Sequence, residues 1–129
     1  MSNNFNIDIV NPEKSFLSKN DVFEVVIPAV EGEIGILKDH ISLITFLRPG
    51  LIKIINGSEE KFFVEEGTIE FANNSLLILT SSAKKLSDLD KKTLQRYIND
   101  TELKIKDEKL TDKEKYLQSY KLETLKGIN

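Results

Sequence analysis

The sequence predicts an α+β fold: an all-β sandwich or flattened barrel of about ten short strands over residues 1–86, then an antiparallel two-helix hairpin over residues 87–129. Three observations carry this expectation. Through the first two thirds of the chain, short apolar runs with a period of two are cut by turn dipeptides. After Leu86 the apolar period lengthens to three and four. The charge changes sign at the same place. Residues 1–83 hold 6 basic and 12 acidic side chains, net −6, whereas residues 84–129 hold 12 basic and 9 acidic, net +3. Such asymmetry points to two regions with different neighbours.

Taken in order, Phe5, Ile7 and Ile9 alternate with Asn6, Asp8 and Val10, which sets one apolar row against a core until Pro12 stops the run. Val22 to Ile27 is richer in apolar and branched residues and reads as a second strand. Arg48-Pro49-Gly50 has proline and glycine at the two central positions of a type II turn. Leu51 to Ile55 then leads into Asn56-Gly57, suited to a two-residue hairpin turn, with Lys61 to Val64 returning. Gly67 breaks the path before Thr68 to Phe71, and Asn73-Asn74 offers a second hairpin turn because asparagine tolerates left-handed geometry. Leu76 to Leu79 is apolar without alternation, so both faces of that strand call for cover, one from the opposing sheet and one from the tail.

The tail is read as two helices. Ser87 or Asp88 caps the first, and Leu94, Tyr97, Ile98, Thr101 and Ile105 make its stripe. Residues 107–110 connect. Thr111 with Glu114 three residues later has the capping-box pattern, Leu117, Tyr120 and Thr124 share a face of the second helix, and Gly127 ends it. The apolar stripes are too narrow to hold some forty residues against their chain entropy, so the hairpin is expected to dock reversibly on the sandwich or on a partner.

At 129 residues, 40% hydrophobic and 30% charged, the chain suits one globular core. The absence of cysteine excludes disulfides, thiolate catalysis and cysteine-held metals. No apolar run reaches the roughly 18 to 20 residues of a membrane helix. The start, with Ser2, Asn3, Asn4 and Asn6, lacks the pattern of a signal peptide, so the protein is expected to stay on the side of the membrane where it is made. The basic residues of the tail are interleaved with Asp and Glu and lack aromatic platforms, which argues against nucleic-acid binding.

The segment from Val22 to Ile55 holds most of the functional signal. Glu31 and Glu33 flank Gly32 as a conceivable acid-base pair, but that chemistry needs a pocket that separates two pKa values, and a solvated turn is the better reading. His40, the single histidine, has no companion ligands at metal-binding spacing and reads as a surface or interface residue. Gly32 and Gly35 do not form a phosphate loop, since the Gly-rich pattern and its following Lys-Ser or Lys-Thr are absent; they read as residues permitting tight backbone geometry. What remains is a rigid β scaffold displaying an acidic turn and a histidine.

This block, PAVEGEIGILKDHISLITFLRPGLIKI, together with the FNIDIVNPEKSF opening, the strands through Leu79 and two terminal helices, resembles the epsilon subunit of F-type proton-translocating ATP synthases. The resemblance implies a non-catalytic rotor subunit of the central stalk that links the c-ring to the gamma subunit, without catalytic residues, metal or cofactor. It implies that Glu31, Gly32 and Glu33 face the polar loops of the c-ring, and that His40 and Thr45 lie toward gamma. It also implies a peripheral place at the cytoplasmic face of a bacterial inner membrane, with a plastid thylakoid as the alternative, held there through the complex. The tail in that family can extend along gamma and restrain ATP hydrolysis by meeting the alpha and beta subunits, with which its net +3 is compatible.

Two departures stand out. Many members have proline and glycine where this chain has Lys38 and Asp39. Some bacterial members bind ATP through an aliphatic residue, Asp, two variable positions and Arg-Ala. Here Asp90 is kept, but Thr93 and Leu94 replace the Arg and Ala, and Thr93 cannot supply a planar cationic donor set for phosphate. ATP binding is therefore not expected. Rival readings are a general β-sandwich adaptor with a coiled tail, and a small hydrolase using Glu31 or Glu33.

Overall fold

Strand β1, Phe5–Asn11, buries Phe5, Ile7 and Ile9 and turns Asn6 outward, as its alternation requires. The structure, a computed structural model, describes residues 4–128; Ser2 and Asn3 of the expected leaderless start lie outside them. After the turn at Pro12-Glu13 the chain returns antiparallel as β2, Lys14–Val22. The remaining strands are β3 (Glu24–Ala29), β4 (Gly32–Leu37), β5 (Leu43–Leu47), β6 (Gly50–Asn56), β7 (Ser58–Val64), β8 (Gly67–Ala72), β9 (Ser75–Leu79) and β10 (Lys84–Lys85).

These strands form one ten-stranded sheet in the order β10-β7-β6-β3-β5-β8-β9-β1-β2, with β4 on β3. All pairings are antiparallel except β1 with β9. β3 is the corner: along one edge Val25 faces Ile54 of β6, and four residues further on Ala29 faces Leu47 of β5. The sheet curls there, so its two ends meet. Phe16 of β2 stands edge-on to Phe62 of β7 at 5.8 Å between centroids. Lys19 of β2 pairs with Glu60 of β7, and Lys85 of β10 approaches the same carboxylate at 3.6 Å. Inside lie Ile27, Ile36, Ile52, Phe62, Phe71 and Ile78, all at most 2% exposed.

Three turns depart from the sequence reading. At the β6–β7 hairpin Asn56 faces Ser58, and only Gly57, φ +76°, takes a positive angle, so the turn pivots on one residue. Gly50 has no positive φ, which rules out the type II turn. Glycine is required there by proximity, because a Cβ would sit 2.6 Å from Pro28 Cβ. Gly35 lies within β4. The Asn73-Asn74 turn is as expected, with φ of 51° and 57° between Ala72 and Ser75. The strand expected from Val22 starts at Glu24, Val22 ending β2 instead. β9 is covered on one face by burial of Leu76 and Ile78, while Leu79 on the other is half exposed; α2 reaches that face only at one end.

A single 3-10 turn, Leu86–Asp88, precedes the helices α1 (Lys91–Ile105) and α2 (Asp112–Lys126). Neither Ser87 nor Asp88 caps α1. The intervening turn moves the start on, and Asp90 accepts from Thr93 N at 2.7 Å. The expected stripe faces inward, with Thr101 fully buried and its hydroxyl donating to Tyr97 O at 2.7 Å. Thr111 and Glu114 close the capping box of α2. Gly127 caps its end in right-handed conformation, φ −79°. The two helices pack on each other, and α2 lies against β6.

Candidate docking site

The β3–β4 turn is built by Val30 and Glu31, after which Gly32 takes φ +134°, open to glycine and strained for other residues. Glu31 then reaches across to β5. Thr45 is 4% exposed because it points inward with Leu43 and Leu47, and its hydroxyl donates to both Glu31 oxygens, 2.6 Å to Oε2. The turn and β5 are thereby joined, bringing together two residues that the resemblance had assigned to different partners. Glu33 is exposed on β4 and lines a cleft of about 320 Å³ with Arg48, Lys53 and Tyr120, away from the Glu31–Thr45 bond.

His40 sits in the β4–β5 loop, its ring edge-on to Phe71 at 5.9 Å and its Nδ1 2.7 Å from Ile41 O, a carbonyl that only an Nδ1–H can satisfy. The loop is tied to the β8–β9 turn. Asp39 N donates to Asn74 Oδ1 at 2.6 Å, and Asn74 Nδ2 donates to Asp39 Oδ1 at 2.9 Å. Asp39 holds φ +66°, a conformation natural to glycine, and the reciprocal pair with Asn74 secures it. The Lys38-Asp39 departure therefore keeps a glycine-like turn by other means.

Between these two features β5 presents an apolar face. On the strand Ile44 and Phe46 are 79% and 61% exposed, and Ile41, in the loop before it, is 80% exposed. Across the sheet Phe46 lies beside Thr68, Thr68 beside Leu79 and Leu79 beside Val10, while Val30 N donates to Phe46 O at 2.9 Å. Val30, Phe46, Leu79 and Val10 line one wall of a cleft of about 940 Å³, and Lys113 and Leu117 of α2 line another. The sequence reading missed this face, since Ile41 to Leu47 is almost wholly apolar. Its one signal was Thr45, whose phase with Leu43 and Leu47 sends Ile44 and Phe46 outward.

Asp90 is engaged as the N-cap of α1, its carboxyl held below the usual range by the Thr93 hydrogen bonds, and Thr93 and Leu94 are half-buried in the first turn. Among the described residues no group of three or more His, Asp or Glu could hold a metal ion, and no helix is long and apolar enough to cross a membrane.

Comparison with known proteins bears on what this surface is for. The family described as ATP synthase, Delta/Epsilon chain, beta-sandwich domain matches residues 4–86. The ATP synthase epsilon chain of Pelagibacter ubique is 53% identical over 130 residues, covering 100% of both chains. That of Afipia carboxidovorans is 37% identical over 105 residues, 81% of this chain and 76% of its own. In fold, the chain is similar to one in the Euglena gracilis mitochondrial ATP synthase, with a TM-score of 0.75 at 18% identity, covering 98% of this chain and 79% of that one. It is also similar to one in the central stalk/c-ring of the Tetrahymena thermophila enzyme, with a TM-score of 0.64 at 14% identity, covering 97% and 96%. By the match through the whole sandwich and the full-length identity to a curated relative, the chain belongs to the delta/epsilon family of ATP synthase, as one of its epsilon chains.

Proposed function

We propose that the chain acts as a non-catalytic subunit of the ATP synthase central stalk, seated between the gamma subunit and the c-ring and peripheral to the membrane through that complex. The observation that carries this is the exposed pair Ile44 and Phe46 on β5, with Ile41 in the loop before it, on an otherwise well-packed sandwich, because so much exposed aliphatic and aromatic surface beside a rigid strand suits a permanent partner. His40 stands at the edge of this face, which is assigned to gamma. Thr45, buried beneath it, contributes by holding Glu31 in place. Glu31, Gly32 and Glu33 form the rim assigned to the polar loops of the c-ring. The fold match to a chain in a central stalk/c-ring assembly supports this placement. The basic tail is assigned the regulatory part, restraining hydrolysis through contact with the alpha and beta subunits.

The test is assembly. Ile44→Asp places a charge in the centre of the apolar face without touching the core, and copurification with gamma is expected to fall at least about tenfold, since a buried unpaired charge costs several kcal/mol. Undiminished copurification would sink the assignment. In the same complex, removing everything after Leu86 is expected to leave gamma binding intact and to raise ATP hydrolysis; unchanged hydrolysis would remove the regulatory part alone.

A further inference from the structure

One asparagine of the chain is followed by glycine: Asn56-Gly57, at the tip of the β6–β7 hairpin. Both residues are exposed, and nothing lies within 4 Å of where a Gly57 side chain would start. Among the described residues no hydrogen bond engages the Asn56 side chain. The other asparagines are placed differently. Asn74, in the β8–β9 turn, has both its amide atoms bonded to Asp39, at 2.6 and 2.9 Å. Asn99 lies within α1 with its Oδ1 accepting from Gln95 at 2.9 Å. Asn11 precedes Pro12, whose nitrogen carries no hydrogen, and its Oδ1 accepts from Glu13 N at 2.9 Å. Asn4 donates to Asp21. Asn6, Asn20 and Asn73 precede Ile7, Asp21 and Asn74, whose β-carbons crowd the nitrogen that follows each asparagine.

A free carboxamide beside an unshielded main-chain nitrogen is the pairing that intramolecular deamidation requires. We propose that Asn56 is a site of spontaneous modification, converting through a cyclic imide to isoaspartate, and that this product loosens the β6–β7 hairpin. Gly57 N attacks Asn56 Cγ. The new C–N bond closes a five-membered ring, the Cγ–Nδ2 bond breaks, and Nδ2 leaves as ammonia with the proton that Gly57 N gives up. Water then opens the imide, the only co-reactant, and nothing is oxidised or reduced. Opening at Cγ gives aspartate; opening at the main-chain carbonyl carbon gives isoaspartate, in which the chain runs through Cβ and Cγ. Asn56 is extended opposite Ser58, so the attack needs the hairpin tip to open, and a tip opens at lower cost than the strands behind it. Either product adds one negative charge to the net −3 of the chain. Isoaspartate also lengthens the main chain in a turn that pivots on Gly57 alone. Behind that turn Glu60, paired across from Ile54, holds Lys19 of β2, so a shift at the tip reaches the closure of the sheet.

The experiment ages the isolated full chain in mildly alkaline buffer, which favours loss of the Gly57 N proton, and follows each asparagine by peptide mass. Anion exchange separates the acidic products, and enzymatic methylation of the isoaspartyl carboxylate counts the isomer. Asn56 is expected to convert at least about tenfold faster than any other asparagine. Asn56→Gln, which would have to close a six-membered ring, should remove the first acidic species. Asp39→Ala frees the Asn74 amide and should speed its conversion about three- to tenfold. Conversion at Asn56 no faster than at Asn74 in the unaltered chain overturns the site, as does a first acidic species that persists in Asn56→Gln. Amide exchange then separates backbone from charge. The purified isoaspartyl form is expected to exchange about two- to fivefold faster across residues 53–61, while Asn56→Asp, with the charge but the normal main chain, stays near the unaltered rate. An isoaspartyl form that exchanges no faster than Asn56→Asp overturns the loosening.

Discussion

In the sandwich, alternation delivers Ile7, Ile9, Ile52 and Ile54 to an interior where each is essentially unexposed, whereas along both helices of the tail only Thr101 and Leu125 reach that state. The strands are therefore held by what lies between them. The helices are specified at their ends, by Asp90 and by the Thr111–Glu114 box, and placed by a few side-chain contacts with the sheet. One region has its stability concentrated in packing and the other in local hydrogen bonds. The first can serve as a rigid platform while the second is joined to it by few side chains, its two helices packing chiefly on each other.

The largest effect that would test this contrast is in the core. Phe71 is 1% exposed, stands edge-on to Phe5 at 5.7 Å and carries His40 against its other side. Phe71→Ala is expected to cost about 3 to 5 kcal/mol in urea unfolding of the sandwich. It should also release the His40 ring, visible as a changed imidazole shift. A loss below about 1 kcal/mol would mean that the packing is looser than the burial implies. Thr111→Ala should act on the other region alone. Losing the box costs about 1 kcal/mol, read as faster exchange in the first turn of α2, with the urea midpoint of the sandwich unmoved. A matching shift of that midpoint would break the separation.

The two regions were also unequally legible in the sequence. The capping box, the Leu94–Ile105 stripe and the Asn73-Asn74 turn could be read because each is decided by neighbours within a few residues. β2 could not. Lys14 to Val22 is largely polar, and it becomes a strand because β1 supplies backbone partners on one side while Phe16 packs on Phe62 across the closure. Gly50 shows the same limit, its small size demanded by Pro28 from another strand. At the docking surface Glu31, Gly32, Glu33 and His40 were visible as candidates. The Glu31–Thr45 bond, the Asp39–Asn74 pair and the exposed face of β5 depended on which strands the curl brings together.

The smallest effect lies where the two regions join. Glu60 accepts Lys19 from β2 and faces Lys85 of β10, just ahead of the tail, and the Lys19 hydrogen bond holds its carboxyl below the ordinary glutamate value. A lowered folded-state value means that the stabilisation is fully present above the unfolded-state value of about 4.3 and is lost as pH falls from there through the folded one. The group is partly exposed, so the change is expected to stay at or below about 1 kcal/mol. Glu60→Gln should remove this part of the acid sensitivity while leaving the stability in acid, below both values, near that of the unaltered chain. The comparison is sharpest in where the loss appears. If the seam belongs to the platform, lowering the pH should expose amides of β2 and β7 together, with α2 unaffected; if α2 opened first, Lys85 would be tethering the tail, and the boundary between packed and capped regions would move back into the sheet.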